Sequence, residues 1–340
     1  MAKKLKSRKR PLMVEATRTG RREAVHIVHA VLVDASGEVR GYFGDPEYKT
    51  YVRSAIKAVQ LLEALKLRPE LMDECSDEEI AVMAASHSGE RGHVDTVRGL
   101  HARYGLWEDL LLCGSHPPYF QRANWEYGRD GIDITSVHCN CSGKHTAMLL
   151  ASQARGWSFA EYIDANHPMQ KTNTAKVAKY IGREPSAVEY GVDGCNVPTW
   201  WLSLRESATI FARFSSPEWA ESEIEKRAIE RIFDAYHKAP WHMAGTGRFC
   251  TAFNAESDGK WLGKIGGEGI YCVGFRNAGL GLVVKVVDGN SRAIPPAILY
   301  AMKIWKLISD DQLERLKDWV KVERPNSSDV NIGYMQIVEK

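Results

Sequence analysis

The chain has 340 residues, 44% of them hydrophobic and 26% charged, enough to bury a core around an internal site. Its 45 Lys and Arg against 43 Asp and Glu leave a net charge of +2, which excludes a global field that selects a polyanion. No stretch reaches the roughly 18 apolar residues of a membrane span, and no apolar segment with a cleavage site follows the basic start. Neither nucleic acid nor a membrane is therefore an expected partner. Seven cysteines, an odd number in a long chain, argue against a disulfide framework and for a reducing, cytoplasmic compartment.

Lys3, Lys4, Lys6, Arg8, Lys9 and Arg10 form a basic run, read as a solvated tail over residues 1–15. Residues 16–340 then form one catalytic domain or two interlocked lobes, with a helical middle over about residues 90–245. His26 to Asp34, rich in Val and Ile, reads as a strand. Glu38 to Phe43 reads as another, after the Ala-Ser-Gly turn. Val52, Ala55, Ile56 and Val59 give an apolar stripe that predicts a helix over 46–67. Ser76 with Glu79 is a capping box opening a helix through Ala85. Ser86 to Glu90 reads as a turn, followed by a helix ending near Gly105. Further helices are predicted over 144–155, stopped by Gly156, and over 169–181, 199–214 and 218–237. Ala187 to Gly191 reads as extended. Ile270 to Arg276 and Leu280 to Val287 flank Asn277-Ala278-Gly279 as a hairpin. A helix over 296–308 and a strand over 331–338 close the chain. Strands at both ends around a helical middle give an α+β class, its antiparallel sheet built from the N- and C-terminal segments.

Ser54-Ala55-Ile56-Lys57 is an S-x-x-K sequence. On a helix this spacing puts the amine on the face of the hydroxyl, where a neutral Lys takes the Ser proton as the Ser attacks a carbonyl. The pair equally suits a helix surface. Ser86 in the Ser-His-Ser-Gly loop and Lys264-Ile265-Gly266-Gly267 follow in chain order. A loop Ser and a strand Lys-x-Gly after S-x-x-K is the order used by serine β-lactamases and penicillin-binding proteins. The glycines would let a substrate approach the strand closely. Ser-His-Ser in place of Ser-x-Asn, and Ile265 in place of a hydroxyl residue, favour a smaller amide over a β-lactam.

A second constellation is His138-Cys139-Asn140-Cys141-Ser142-Gly143-Lys144-His145 with Asp193-Gly194-Cys195. Cys141 and Cys195 could hold Zn²⁺ as thiolates, with His138, His145 or Lys144 as a third ligand. They could also be buried free thiols. Cys75, Cys113, Cys250 and Cys272 read as ordinary thiols. Gly245-Thr246-Gly247-Arg248 is a Gly-rich turn that either binds an anion or only reverses the chain.

Taken together, Arg53-Ser54-x-x-Lys57, Ser86-His87-Ser88-Gly89-Glu90, Cys141-Ser142-Gly143-Lys144-His145, Asp193-Gly194-Cys195 and Lys264-Ile265-Gly266-x-Glu268-Gly269 resemble the rhizobial-type, or class 3, L-asparaginases over most of the chain. The resemblance implies a serine β-lactamase-like fold, a homodimer and hydrolysis of L-asparagine to L-aspartate and ammonia. It implies two Ser–Lys pairs, Ser54 with Lys57 and Ser86 with Lys264, and one Zn²⁺ held by Cys141, Lys144 and Cys195 that shapes the substrate site. Arg53 falls where it would meet a substrate carboxylate. Asp193 and His145 fall where they would touch substrate or support the metal ligands. Ala58 departs from the Pro usual after the S-x-x-K lysine. A penicillin-recognising hydrolase, a glutaminase and a zinc-dependent enzyme or zinc-stabilised binding protein are the alternatives.

Overall fold

The computed structural model describes residues 5–338, so Lys3 and Lys4 of the basic run lie outside the described residues. The chain divides into two compact units. One takes the chain up to Ala55, Leu202–Ser216 and everything from Gly263 onwards; the other takes Ile56–Trp201 and Pro217–Leu262.

The first unit is built on an eight-stranded sheet. Across it run Val322–Pro325, Asn331–Ile337, Leu12–Arg18, Arg21–Asp34, Leu280–Val286, Ile270–Phe275 and Trp261–Gly266, with Val39–Phe43 also paired to Arg21–Asp34. N-terminal strands thus interleave with C-terminal ones, the arrangement expected of the α+β reading. Leu12–Arg18 pairs antiparallel with both Arg21–Asp34 and Asn331–Ile337. This corrects the expected tail over 1–15 for the residues described, 5–15. Leu12, Val14 and Ala16 are fully buried while Met13 and Glu15 between them are only half-buried, as a half-covered strand requires. Residues 5–8 are also tied down, because the Leu5 and Arg8 amides donate to the Arg40 and Tyr42 carbonyls at 3.0 Å. The Asn277-Ala278-Gly279 hairpin is where it was expected, with Asn277 and Gly279 both at positive φ. The helix Leu204–Phe214 packs closely on the sheet. A Cβ on Gly281 would stand 2.0 Å from the Ala208 carbonyl oxygen.

The second unit is mainly helical: Lys57–Leu67, Asp77–Met83, Arg91–Tyr104, Gln121–Arg129, Ser142–Arg155, Pro168–Ile181, Glu223–Lys238 and Phe249–Ala255. It begins at Ile56, well before the expected residue 90. The Ser76–Glu79 capping box is formed, and Gly105, Gly156 and Gly182 close their helices in the left-handed conformation. Lys57–Leu67 and Ser142–Arg155 are buried on nearly every side. A buried ion cluster braces the first of these. Lys176 Nζ lies 2.8 Å from Glu225 Oε1 and 2.5 Å from Glu221, while Lys66 bridges Glu63 at 2.9 Å and Glu225 at 3.2 Å.

Three predicted helices change. The one over 46–67 is a strand, Lys49–Tyr51, a 3₁₀ turn, Arg53–Ile56, and a helix from Lys57 only. Arg53 at φ 51° breaks the path, and Lys-Thr-Tyr is β-prone. The one over 199–214 is a strand, Pro198–Ser203, up to Ser203, whose capping box with Glu206 starts the helix. The one over 218–237 starts at Glu223, where the Ser222 side chain accepts the Glu225 amide at 3.2 Å. Among the described residues no helix is long and apolar enough to cross a membrane.

Candidate active site

Lys57 opens its helix and is fully buried. Its Nζ donates to the Ala85 carbonyl at 2.5 Å and to Ser86 Oγ at 3.0 Å, and reaches Cys141 Sγ at 3.2 Å and the Asn140 carbonyl at 3.5 Å. A buried amine must find acceptors to replace its water, and this one finds them on two separate segments. Ser86, also buried, follows the helix Asp77–Met83 and is held by its amide on the Met243 carbonyl at 3.2 Å. One member of each sequence constellation, Ser86 and Cys141, therefore meets Lys57.

Beyond Ser86 the loop turns through Gly89 at φ 71° into the helix Arg91–Tyr104. Glu90 Oε1 accepts the Thr246 amide at 2.8 Å, and Glu90 Oε2 accepts the Thr246 hydroxyl at 2.6 Å. The Gly-rich turn thus reverses the chain and is tied to the Glu90 side chain. Gly245, at φ 123°, cannot be larger: a Cβ there would lie 2.6 Å from Glu90 Oε1 and from Ser88 Oγ.

Helix Ser142–Arg155 brings up the thiol cluster. A Cβ on Gly143 would lie 2.0 Å from the Val82 carbonyl oxygen, so glycine alone lets this helix seat against Asp77–Met83. Lys144 is buried and donates to Cys195 Sγ at 2.9 Å. Cys195 sits in a tight turn closed by Asp193, whose amide donates to the Val197 carbonyl and whose Oδ1 accepts the Gly194 amide, both at 2.9 Å. Hydrogen bonds from the Cys139 and Cys195 thiols, then the Lys57 and Lys144 charges, hold Cys141 well below the usual thiol range. The hydrogen bond to Cys141, then burial, push Cys195 up. Burial works against a charge on Lys144, but Cys195, Cys141 and Asp193 outweigh it and hold its ammonium above the usual range.

His145 is fully buried with Nδ1 2.7 Å from the Tyr162 hydroxyl, and burial holds its imidazole well below the usual histidine range. His138 Nδ1 accepts the Thr135 amide at 3.0 Å. Among the described residues no group of three or more His, Cys, Asp and Glu forms a metal site. The donors gathered here are two thiols and an amine, Cys141, Cys195 and Lys144. Two sulfurs and, once it gives up its proton, the Lys144 amine 2.9 Å from one of them make a donor set that suits Zn²⁺.

In the first unit Ser54 is half-buried in the 3₁₀ turn, three residues before Lys57. Lys264 is fully buried on the edge strand Trp261–Gly266 and donates to the Ile265 carbonyl at 2.9 Å. The space over Gly266 and Gly267, expected to admit substrate, is taken by the chain itself. A Cβ would meet the Val52 carbonyl oxygen at 2.8 Å from Gly266, and the Arg53 guanidinium carbon at 3.1 Å from Gly267. The Lys57–Cys141 contact and the Glu90–Thr246 bond were not foreseen, although the residues stood inside the motifs.

Among solved structures, the chain aligns with a β-lactamase (Mb2281c) from Mycobacterium bovis at 13% identity, covering 85% of this chain and 94% of that one, TM-score 0.39. It aligns with Mglu, in its native form in the presence of 4.3 M NaCl, at 12% identity over 84% of this chain and 61% of that one, TM-score 0.35. No curated protein matches the sequence. The family description L-asparaginase II matches residues 14–337. That match spans both units and contains Lys57, Ser86, Cys141, Lys144 and Cys195, and on it the chain belongs to the L-asparaginase II family and is an asparaginase.

Proposed function

We propose that the chain hydrolyses the side-chain amide of L-asparagine through a serine ester, with Lys57 as the base. The observation that carries this reading is the buried Lys57 amine, 3.0 Å from Ser86 Oγ and 3.2 Å from Cys141 Sγ. Ser54 Oγ attacks the amide carbon while Lys57 takes the hydroxyl proton. The tetrahedral intermediate collapses, the C–N bond breaks, and the leaving nitrogen takes that proton from Lys57 through Ser86, with Lys264 as the partner of Ser86, so Lys57 is neutral again. Water then attacks the aspartyl ester and gives a proton to Lys57, which passes it to the Ser54 oxygen as the ester C–O bond breaks; L-aspartate leaves with the Ser54 hydroxyl and neutral Lys57 restored. In this reading Arg53 meets the substrate carboxylate and Asp193 its ammonium, while His145, sealed against Tyr162, supports the Cys195 turn.

A second reading has Ser86 attack, favoured by its hydrogen bond to Lys57. Peptide mapping of the acid-quenched reaction separates the two: the aspartyl ester is on Ser54 in the first and on Ser86 in the second. Full ammonia release by both S54A and S86A would remove either mechanism. Rapid acylation by a chromogenic β-lactam, with no ammonia from L-asparagine, would favour a penicillin-recognising enzyme.

We also propose that Cys141, Lys144 and Cys195 hold one Zn²⁺. When bound, the ion supplies a fixed positive charge and a Lewis-acidic open position. The residues around it act by themselves: Cys141 receives Lys57, and Asp193 shapes the Cys195 turn. The assembly is proposed to be a cytoplasmic homodimer, read by sedimentation of the purified chain.

A further inference from the structure

His87, next to Ser86, takes no part in the reaction just described, yet it is fully buried and fully committed. Its Nδ1 accepts the Gly89 amide at 3.1 Å, which leaves the proton on Nε2. Nε2–H then donates to Ser142 Oγ at 2.9 Å, 55 residues along the chain. Behind it the His93 ring stacks at 5.1 Å, itself stacked on Trp241 at 4.0 Å and donating from Nε2 to the Trp241 carbonyl at 3.0 Å. The imidazole therefore has no room to swing.

Ser142 lies between Cys141, which receives Lys57, and Gly143, which seats the helix on Asp77–Met83. A second histidine relay ties the same turn: His101 Nε2 lies 2.9 Å from Thr146 Oγ1, which donates to the Ser142 carbonyl at 2.9 Å. Lys57 spans the gap between the Ser86 segment and the Cys141 segment with one flexible side chain. The His87–Ser142 bond closes the same gap with a rigid one. We propose that His87 is a positioning residue: as a neutral donor to Ser142 it fixes the distance between Ser86 and Cys141, and so aims the Lys57 amine between them.

This rests on the Ser/Lys reading above, and the substitutions separate the two. Glutamine can place an amide N–H where imidazole Nε2 stands, whereas asparagine offers only the Nδ1-like acceptor. With L-asparagine as substrate, H87N should lower kcat about 30-fold or more with KM within about threefold, and H87Q should stay within about fivefold of wild type. S142A, which removes one hydroxyl and leaves the fold its best chance, should lose kcat as H87N does. The double variant H87N/S142A should lose no more than either single one. Equal kcat for H87N and H87Q, or S142A at the wild-type kcat, overturns the positioning role and leaves the Ser/Lys reading standing. Wild-type protein that releases no ammonia from L-asparagine overturns both.

Discussion

Gly143→Ala tests whether the site depends on how closely two helices touch. A Cβ at residue 143 would stand 2.0 Å from the Val82 carbonyl oxygen and 2.6 Å from its carbon. An ordinary contact needs at least 3.4 Å, so the helix Ser142–Arg155 must withdraw from Asp77–Met83 by about 1.4 Å. Neither partner can yield alone, because the obstacle is backbone inside the chain's own fold. Overpacking of this kind costs about 2–3 kcal/mol, which lowers Tm by about 3–4 °C in a chain this long. Withdrawal also carries Cys141 away from Lys57 and stretches a 3.2 Å contact past hydrogen-bonding range. A misplacement of about 1 Å at a reacting centre costs about 100-fold, so kcat for ammonia release should fall by about that factor. Gly128→Ala is the control: it lies in the helix Gln121–Arg129 with nothing within 4 Å of a new Cβ, and should gain a few tenths of a kcal/mol and keep full activity. G143A with a Tm within about 1 °C of wild type and kcat within about threefold would refute the reasoning.

Lys176→Met removes an ammonium that faces Glu225, Glu221 and Glu63, and leaves the fully buried Glu225 to Lys66 and the Tyr180 hydroxyl. Urea unfolding should show a loss of about 3–5 kcal/mol, and a neutral result would mean the cluster braces nothing. Burial lowers the His93 imidazole to about 4, below its ordinary 6.5. A depressed histidine is neutral in the fold and binds a proton more readily when unfolded. Its stability is present above pH 6.5 and is lost as pH falls towards 4, by about 3 kcal/mol in total. Tm measured across that range should fall more steeply for wild type than for H93Q; parallel curves would contradict this. Cys195→Ser should abolish stoichiometric zinc in metal analysis while Cys250→Ser keeps it, and equal zinc contents would place the ion elsewhere.

Helix ends carried by a single residue type were plain from the sequence: Ser76 with Glu79 opened one helix, and Gly105 and Gly156 closed two others. The Ser86 loop, the Cys141 turn and the α+β order of strands and helices were also legible, because each is a local pattern. The start of the Lys57 helix was not. Val52, Ala55, Ile56 and Val59 satisfy helical spacing, yet Arg53 takes a left-handed conformation that no composition signals. At the N-terminus six basic residues masked the alternation of Leu12, Val14 and Ala16. The contact between Lys57 and Cys141 joins residues 84 apart and is set by packing, notably by Gly143 against Val82, which single-sequence periodicity does not reach.

Steady-state ammonia release from L-asparagine by wild type and Lys57→Met, compared at matched Tm, tests the assignment of Lys57 as base. The buried amine serving both Ser86 and Cys141 predicts saturable release by wild type and a loss of about a thousandfold or more in kcat for K57M. A folded K57M that turns over within about tenfold of wild type would contradict it.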